Sequence, residues 1–392
     1  MKRKIGIVGG GNLGSVLAVK FSQENDVTLY ISNPNKLTKY RKDMQVYNEE
    51  NDYYYTGKIL SITNSLEDLV NNSEIIFITY PAFLFKSFAA ELIPLLKKGQ
   101  HLVFVPGSGG AELAFKGALK KGVTISGLQR VHAVARIIKT GELVRESGVR
   151  SSLKVASIPN SFNKCAAKCL EELYKLPVEQ LDNYLNITLI NSNSILHTSR
   201  LYSIFKDYPS GVETYNSLPL FYEDWDIESA NLLIDMDKEL FSIIDELGKN
   251  GLIVDKIVPI AKHYDSEDAL GMMNKIKSIK SFKGITTPSV KTENGEYLPD
   301  LSSRYFIADF PYGLDIIRSF GKLLNVKTPN MDKVSKWYKD TINYKEKEFS
   351  LSDFGFNDLN SICEFYKWYS RRKKPWVNKA SFYCWTRWIW PG

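Results

Sequence analysis

Short apolar runs and longer segments with helical periodicity alternate through the first 160 residues of the chain. The runs are short and rich in β-branched residues, as is typical of strands. They are residues 5–8, 27–31, 74–80 and 102–105. The helical patterns that follow them are residues 15–23, 83–96 and 111–119. This order predicts an α/β domain with a doubly wound parallel sheet.

The second half of the chain has a different pattern. Beyond about residue 187 the alternation ends, and long segments carry apolar residues at helical spacing. The longest spans residues 230–250, and others cover 314–324 and 331–338. A chain of 392 residues is also too long for one ordinary core. We therefore predict two domains, an α/β domain over residues 1–186 and an all-α domain over residues 187–392.

A glycine-rich loop separates the first predicted strand from the first predicted helix. It reads Gly9-Gly10-Gly11-Asn12-Leu13-Gly14, which is G-x-G-x-x-G between a strand and a helix. The first glycine permits a tight turn, the second lets the backbone approach a pyrophosphate, and the third lets helix and strand pack closely. The pyrophosphate is then expected at the free amides of the helix, including those of Asn12 and Leu13. The loop predicts a Rossmann domain that binds a dinucleotide.

The residues after the second predicted strand bear on which dinucleotide is bound. An acid that binds a ribose hydroxyl is expected there, but Ser32, Asn33 and Lys36 occupy the region. A hydroxyl, an amide and a lysine can receive a 2′-phosphate, so the sequence favours NADP, with NAD as the alternative. A solvated helix face is the other reading of the lysine. Tyr80 and Pro81, at the end of another strand, are expected to lie over the cofactor.

Two further polar residues are candidates for contact with a substrate. Gln129 and His132 lie just after the parallel-strand pattern and before a run with strand-like alternation. Side chains at such a position can face the nicotinamide end of a bound dinucleotide. His132 has a competing interpretation as an ordinary strand histidine, and that interpretation is the commoner one for a lone histidine.

A histidine and an arginine–aspartate pair provide the candidate chemistry of the second half. His197 lies in the segment NSNSILHTSRLY, and Arg304 and Asp309 lie in SRYFIADFPYGL. A histidine held by a carboxylate can move a proton, and an arginine can bind a substrate carboxylate. These residues predict an oxidoreductase in which the first half supplies a hydride and the second half a proton. The alternatives are a structural histidine and a local Arg304–Asp309 ion pair.

The bulk composition narrows the classes of partner. The net charge of +7 is modest and spread along the chain, which suits small anionic ligands and is too weak for a nucleic-acid binder. No apolar run reaches the ~18 residues that a membrane span requires. Four cysteines without a C-x-x-C pair favour a reducing compartment, so we predict a cytoplasmic protein and no metal site.

The last 22 residues have an unusual composition. Trp376, Trp385, Trp388 and Trp390 stand there among lysines and arginines. A buried helix, a homodimer contact and an interfacial membrane anchor are the three interpretations. Burial or self-association is favoured over a membrane contact.

Taken together, these motifs resemble the octopine/nopaline (opine) dehydrogenase family over roughly residues 4–340. The resemblance implies a Rossmann domain joined to a helical domain, with His197 as catalytic histidine, Asp309 as its partner and Arg304 as the substrate-binding arginine. Thr198 and Ala308 depart from the family pattern, which often has proline and an acid at these positions. The implied reaction condenses an amino acid with a 2-oxo acid and reduces the imine with a nicotinamide cofactor.

Two other functions fit the same pattern. A ketopantoate-type or other 2-oxo acid reductase shares the Rossmann-plus-helical plan but needs no amine. A non-catalytic sensor would bind NADP without turnover, and the three polar residues of the second half argue against it. The identities of the amino acid and the 2-oxo acid stay open.

Overall fold

A computed structural model describes residues 2–342 and 349–371, with side chains described as far as residue 367. Within the chain, contacts define two units. Of the described residues, the first contains those up to Thr188 and those from Glu364 to Arg371, and the second contains those from Leu189 to Cys363. The boundary predicted from the sequence is two residues earlier, at 186/187. That prediction also placed the C-terminal residues in the second domain. The tryptophan-rich segment lies outside the described residues, as does Cys384.

The first unit is built on a sheet of eight strands in the order β12–β11–β8–β7–β6–β1–β2–β5. All neighbours in this sheet are parallel except β11 and β8. The strands of the unit are β1 (Lys4–Val8), β2 (Asp26–Tyr30), β3 (Gln45–Asn48), β4 (Tyr53–Thr56), β5 (Ser61–Thr63), β6 (Ile75–Ile78), β7 (His101–Phe104), β8 (Thr124–Leu128), β9 (Val134–Lys139), β10 (Leu143–Ser147), β11 (Leu153–Ile158) and β12 (Val178–Gln180).

Helices connect these strands. They are α1 (Asn12–Ser22), α2 (Pro34–Leu37), α3 (Leu66–Asn71), α4 (Phe85–Leu95), α5 (Ala111–Ala114), α6 (Lys116–Lys120), α7 (Asn163–Tyr174) and α8 (Leu185–Thr188). The segment predicted as one helix at 111–119 is thus two short helices. The central strands are buried on both faces because helices cover the sheet, which explains why β1 and β6 read as continuous apolar runs.

The strand order places the glycine loop at the point where a ligand is expected. From β1 the chain proceeds to β2 and β5 on one side of the sheet, and β6 and β7 then lie on the other side. Such a reversal leaves a crevice at the carboxyl end of the central strands, where doubly wound sheets bind their ligands. The loop Gly9–Gly14 begins at the carboxyl end of β1.

A second sheet in the first unit has the order β4–β3–β10–β9. Its strands β9 and β10 fall in the segment with predicted strand-like alternation. Strands β3 (QVYN) and β4 (YYYT) were not predicted. Each has only four residues, and neither sequence shows a clear alternation of apolar and polar residues.

The second unit is helical apart from a two-stranded antiparallel ribbon, β13 (Ser289–Lys291) with β14 (Tyr297–Pro299). The ribbon lies in the segment 283–299, which is rich in turn-forming residues. The helices are α9 (Asn193–Phe205), α10 (Ile227–Lys249), α11 (Ile260–His263), α12 (Ala269–Ser278), α13 (Arg304–Ile307), α14 (Asp315–Leu323) and α15 (Pro329–Thr341). A further helix, α16 (Leu359–Arg371), follows near the C-terminus. Both the Rossmann fold of the first half and the helical fold of the second are confirmed. Among the described helices, no segment has the length and apolar character needed to cross a bilayer.

A buried carboxyl group joins two distant segments of the first unit. Glu112, on α5, has no exposed surface. Its Oε1 accepts hydrogen bonds from Thr188 Oγ1 at 2.6 Å and from Tyr366 Oη at 2.7 Å. Burial raises the pKa of Glu112 to about 7, because the low-dielectric interior disfavours its ionised form.

This raised pKa predicts a pH-dependent stability. An unfolded glutamate ionises above its ordinary pKa of 4.5, whereas the folded one holds its proton to about 7. The stabilisation from protonated Glu112 is therefore complete below pH 4.5. As the pH rises to about 7, the free energy of unfolding falls by about 3 kcal/mol. Urea unfolding across this window measures the slope. The Glu112→Gln variant should flatten it, and an unchanged slope in that variant would contradict the assignment.

Candidate active site

The glycine loop has the backbone geometry that its spacing predicts. Gly9 has φ +100°, in the region that favours glycine. A Cβ on Gly14 would lie 1.8 Å from the carbonyl oxygen of Gly9, so only glycine lets α1 approach the strand this closely. A Cβ on Gly11 would meet no atom within 4 Å, so the space beside this residue is open.

The N-terminus of α1 provides a site for a phosphate group. Gly11 is the N-cap and offers no side chain to the helix amides, and the first turn contains no acidic residue. The amides of a helix N-terminus bind anions when no cap occupies them. Leu13 packs against the apolar core of the unit, and the side chain of Asn12 accepts a hydrogen bond from the backbone of Ile137 at 2.8 Å. Asn12 thus anchors the loop to β9 through its side chain and leaves its amide on the helix end.

The segment after β2 is exposed and cationic. Asn33 caps the short helix α2 by accepting from the amide of Asn35 at 2.9 Å, and Ser32 and Lys36 are exposed beside it. The first carboxylate after β2 is Asp43, whose pKa is held low by a hydrogen bond from Arg41.

Two residues follow β6 at the same edge of the sheet. Tyr80 and Pro81 are half-buried. The ring of Tyr80 packs against that of Phe88, with the ring centroids 4.9 Å apart. A Cβ on Gly9 would lie 3.1 Å from the ring of Tyr80, which places this ring beside the glycine loop. The open space at Gly11, the uncapped helix and the lack of a carboxylate between Tyr30 and Asp43 fit a dinucleotide with an additional phosphate.

His197 and Asp309 come together in the second unit although 112 positions separate them. His197 lies on α9, and its Nδ1 donates to Asp309 Oδ2 at 2.8 Å. Gly313, in the short helical segment Phe310–Leu314, lets this segment approach α9 closely, since a Cβ on Gly313 would lie 3.1 Å from the Cα of Ser194. The two side chains are 11% and 20% exposed, so the pair is shielded but reachable from solvent.

The hydrogen bond to Asp309 fixes how the imidazole can react. A carboxylate only accepts, so the proton of the neutral ring resides on Nδ1 and the lone pair on Nε2. His197 can therefore take up and release a proton at Nε2.

Arg304 begins α13, five positions before Asp309, and is exposed. Among the described residues no ion pair joins Arg304 to Asp309, because Asp309 is bound to His197 instead. The guanidinium is left available to an anionic ligand, which it can bind through two parallel hydrogen bonds.

Tyr222 is a component of this site that the sequence did not indicate. Its hydroxyl lies 2.8 Å from Nε2 of His197, on the opposite side of the ring from Asp309. The residue sits in the segment LFYEDW, just before α10, and is one of 22 tyrosines in the chain. The only sequence signal is the aromatic cluster itself, with Phe221 and Trp225.

The two candidate substrate contacts in the first unit lie in its interior. The amide of Gln129 is buried and donates to the carbonyl of Asn186 at 2.9 Å. His132 has no exposed surface, and its Nε2 lies 2.8 Å from Glu146 Oε1. Burial lowers the pKa of His132, despite the opposing effect of Glu146. Both side chains are thus held by hydrogen bonds within the unit, and their contact with a substrate stays a prediction.

Comparison with known proteins shows which families the two halves of the chain resemble. A family model described as "NAD/NADP octopine/nopaline dehydrogenase, alpha-helical domain" matches residues 180–342, the segment that contains His197, Tyr222, Arg304 and Asp309. The helical half of the chain is therefore similar to the octopine/nopaline dehydrogenase family. Residues 4–105, which include the glycine loop, match a model described as "NADP oxidoreductase coenzyme F420-dependent".

Octopine/nopaline dehydrogenase relatives align along nearly the whole chain. A tauropine dehydrogenase of Arabella iricolor is 26% identical and covers 91% of this chain and 98% of its own. An octopine dehydrogenase of Mizuhopecten yessoensis is 24% identical and covers 92% and 98%. A solved octopine dehydrogenase structure with NADH and L-arginine has a TM-score of 0.80 at 20% identity, covering 92% and 98%. The resemblance to octopine/nopaline dehydrogenases and the NAD(P) dependence, both predicted from the sequence, are confirmed.

Proposed function

We propose that this protein condenses the amine of an amino acid with a 2-oxo acid and reduces the resulting imine at the expense of NADPH. The observation that carries the proposal is the 2.8 Å hydrogen bond between His197 and Asp309, inside the domain that the family model covers. It leaves one nitrogen of a shielded imidazole for proton exchange, which imine formation and reduction both require.

Each residue of the second unit then has a role. His197 acts as general acid in the reductive direction and as general base in the oxidative direction. Asp309 orients the imidazole and stabilises its cation. Arg304 binds a carboxylate of a substrate.

The first unit binds the cofactor through the residues already described. The open space at Gly11 and the uncapped start of α1 suit the pyrophosphate, and Ser32, Asn33 and Lys36 suit a 2′-phosphate. We propose NADP over NAD because no carboxylate stands between Tyr30 and Asp43. When bound, the nicotinamide supplies the hydride.

The cellular setting belongs to the same proposal. The described cysteines Cys165, Cys169 and Cys363 are all free thiols, which suits the reducing cytoplasm predicted from the sequence. A homodimer, inferred from the tryptophan-rich C-terminus, is proposed on composition alone.

A substrate screen tests the reaction. Amino acids, beginning with L-arginine, are combined with pyruvate while NADPH or NADH absorbance is followed, and each 2-oxo acid is also assayed without amine. We expect oxidation of the cofactor only when both substrates are present, with NADPH preferred. Oxidation by the 2-oxo acid alone would instead identify a 2-oxo acid reductase. Tight cofactor binding without turnover for any pair would identify a sensor.

Replacing Arg304 should weaken substrate binding more than it slows the chemistry. A charge-assisted hydrogen bond contributes about 1.5–3 kcal/mol, so Arg304→Met should raise the KM of a carboxylate substrate by about 10–100-fold. Steady-state kinetics with each substrate varied in turn measures the effect. Lys262→Met, which removes an exposed cation of α11 in the same unit, is the control and should leave both KM values unchanged. An unaltered KM in Arg304→Met would remove this arginine from the substrate site.

A further inference from the structure

The reactive nitrogen of His197 is already hydrogen-bonded to a protein group. Nδ1 is committed to Asp309, and Nε2 lies 2.8 Å from the hydroxyl of Tyr222. Any proton that enters or leaves the imidazole at Nε2 therefore meets the phenol first. Either the hydroxyl moves aside when substrate binds, or the proton passes through it.

The packing of the Tyr222 ring opposes a movement aside. The ring stacks on Phe282 with centroids 4.2 Å apart and an interplanar angle of 19°. It lies nearly parallel to Trp225 at 6.2 Å, and the edge of Phe221 meets it at 4.8 Å. Its relative exposure is only 6%, so swinging the ring out would break these aromatic contacts and expose a large apolar surface.

The backbone on either side of Tyr222 is held as well. Arg200, one turn after His197 on α9, is completely buried and donates to the carbonyl oxygens of Phe221 at 3.0 Å and Asp224 at 2.7 Å. It also forms an ion pair with Asp226, the N-cap of α10. The helix that carries the histidine thus fixes the loop that carries the tyrosine.

The phenol has the properties of a proton carrier that does not itself ionise. Burial raises the pKa of Tyr222 well above its ordinary value, with Tyr305 and Asp309 acting in the same direction, so no phenolate accumulates. A neutral phenol carries one proton and two lone pairs, so it can bond Nε2 and a second partner at the same time. Tyr305, which raises the pKa of Tyr222 partly through a hydrogen bond, directly follows Arg304 in the chain.

We propose that Tyr222 relays the proton between Nε2 of His197 and the reacting substrate. The relay rests on the proposed function. In the condensation, the N–H bond at Nε2 of the imidazolium breaks and its proton joins the Tyr222 oxygen. The phenol's own proton passes to the hydroxyl of the carbinolamine formed from amine and 2-oxo acid. That hydroxyl leaves as water while the nitrogen lone pair forms the C=N bond. Tyr222 ends as it began, and the reverse reaction retraces the path.

The Tyr222→Phe variant tests the relay because it removes the hydroxyl and keeps the stacked ring. General acid catalysis is typically worth about 10²–10⁴-fold, so we expect kcat to fall by about 100-fold, with the KM values unchanged. Tyr338→Phe is the matched control, a buried tyrosine of the same unit that stacks on Phe310 at 4.2 Å, and it should retain activity. Full activity in Tyr222→Phe would overturn the relay, because it would show that the hydroxyl moves aside and is not needed for turnover.

A solvent-isotope measurement distinguishes a relay from a purely structural tyrosine. A relay moves two protons in one step, so single-turnover rates of the unmodified protein in mixtures of light and heavy water should curve with deuterium content. Residual turnover in Tyr222→Phe should vary linearly. A linear dependence in the unmodified protein would refute the relay, whatever the variant does. Loss of activity in Tyr222→Phe but not in His197→Asn would refute the proposed function itself.

Discussion

The His197→Asn variant should lose about 10²–10⁴-fold in kcat while its affinity for NADPH stays unchanged. Asparagine can still offer a hydrogen bond to Asp309, but it has no nitrogen that gains and loses a proton near neutral pH. The glycine loop belongs to the first unit, so cofactor titration should not register the change. Steady-state turnover of an amino acid and 2-oxo acid pair, together with fluorescence titration of NADPH, measures both quantities.

His263 provides the control for this substitution. It is an exposed histidine of α11 in the same unit, and His263→Asn should turn over at the normal rate. If His197→Asn were as active as the unmodified protein, the 2.8 Å contact with Asp309 would be structural and the proposed chemistry would lack its proton donor.

Cofactor binding should be lost, without loss of folding, when a side chain is introduced at position 11. The backbone of Gly11 has φ −74° and ψ −171°, which any residue can adopt, and a Cβ there meets no protein atom within 4 Å. A valine is therefore tolerated by the fold but occupies the space through which a pyrophosphate approaches the helix amides. Each charge-assisted hydrogen bond contributes about 1.5–3 kcal/mol, so losing two should weaken NADPH binding at least about 100-fold.

Two other glycines make this result interpretable. Gly14→Val should impair folding as well as binding, because its Cβ would collide with the Gly9 carbonyl at 1.8 Å. A Cβ on Gly248, in α10, would likewise meet no atom within 4 Å, and Gly248→Ala should change neither property for the worse. Unimpaired NADPH binding in Gly11→Val would show that the pyrophosphate lies elsewhere.

The sequence was most informative where a function constrains the backbone or where a motif is long. The glycine loop could be interpreted because each of its glycines has a steric reason, and the structure gives Gly9 and Gly14 that geometry. His197 and Asp309 could be paired in advance only through the family resemblance of two segments, since 112 positions separate them and no periodicity links them.

Other features depend on tertiary packing that leaves no local signal. Tyr222 reaches His197 because buried Arg200 holds its loop, and neither contact has a sequence period. The contact between His132 and Glu146 could not be predicted, because Glu146 lies on a strand of a sheet that the sequence indicated only in part. Burial, which decides the role of such a polar residue, is a property of the assembled core.

The carboxyl of Glu112 has a practical consequence for dissecting the protein. Its two hydroxyl donors come from Thr188, where the first continuous stretch of the unit ends, and from Tyr366, which returns to it after the whole second unit. A recombinant fragment truncated after residue 188 would leave this buried acid without the hydrogen bond from Tyr366. An autonomous cofactor-binding module would have to be assembled from two non-contiguous pieces, for example by splicing the C-terminal helix to residue 188 through a short linker.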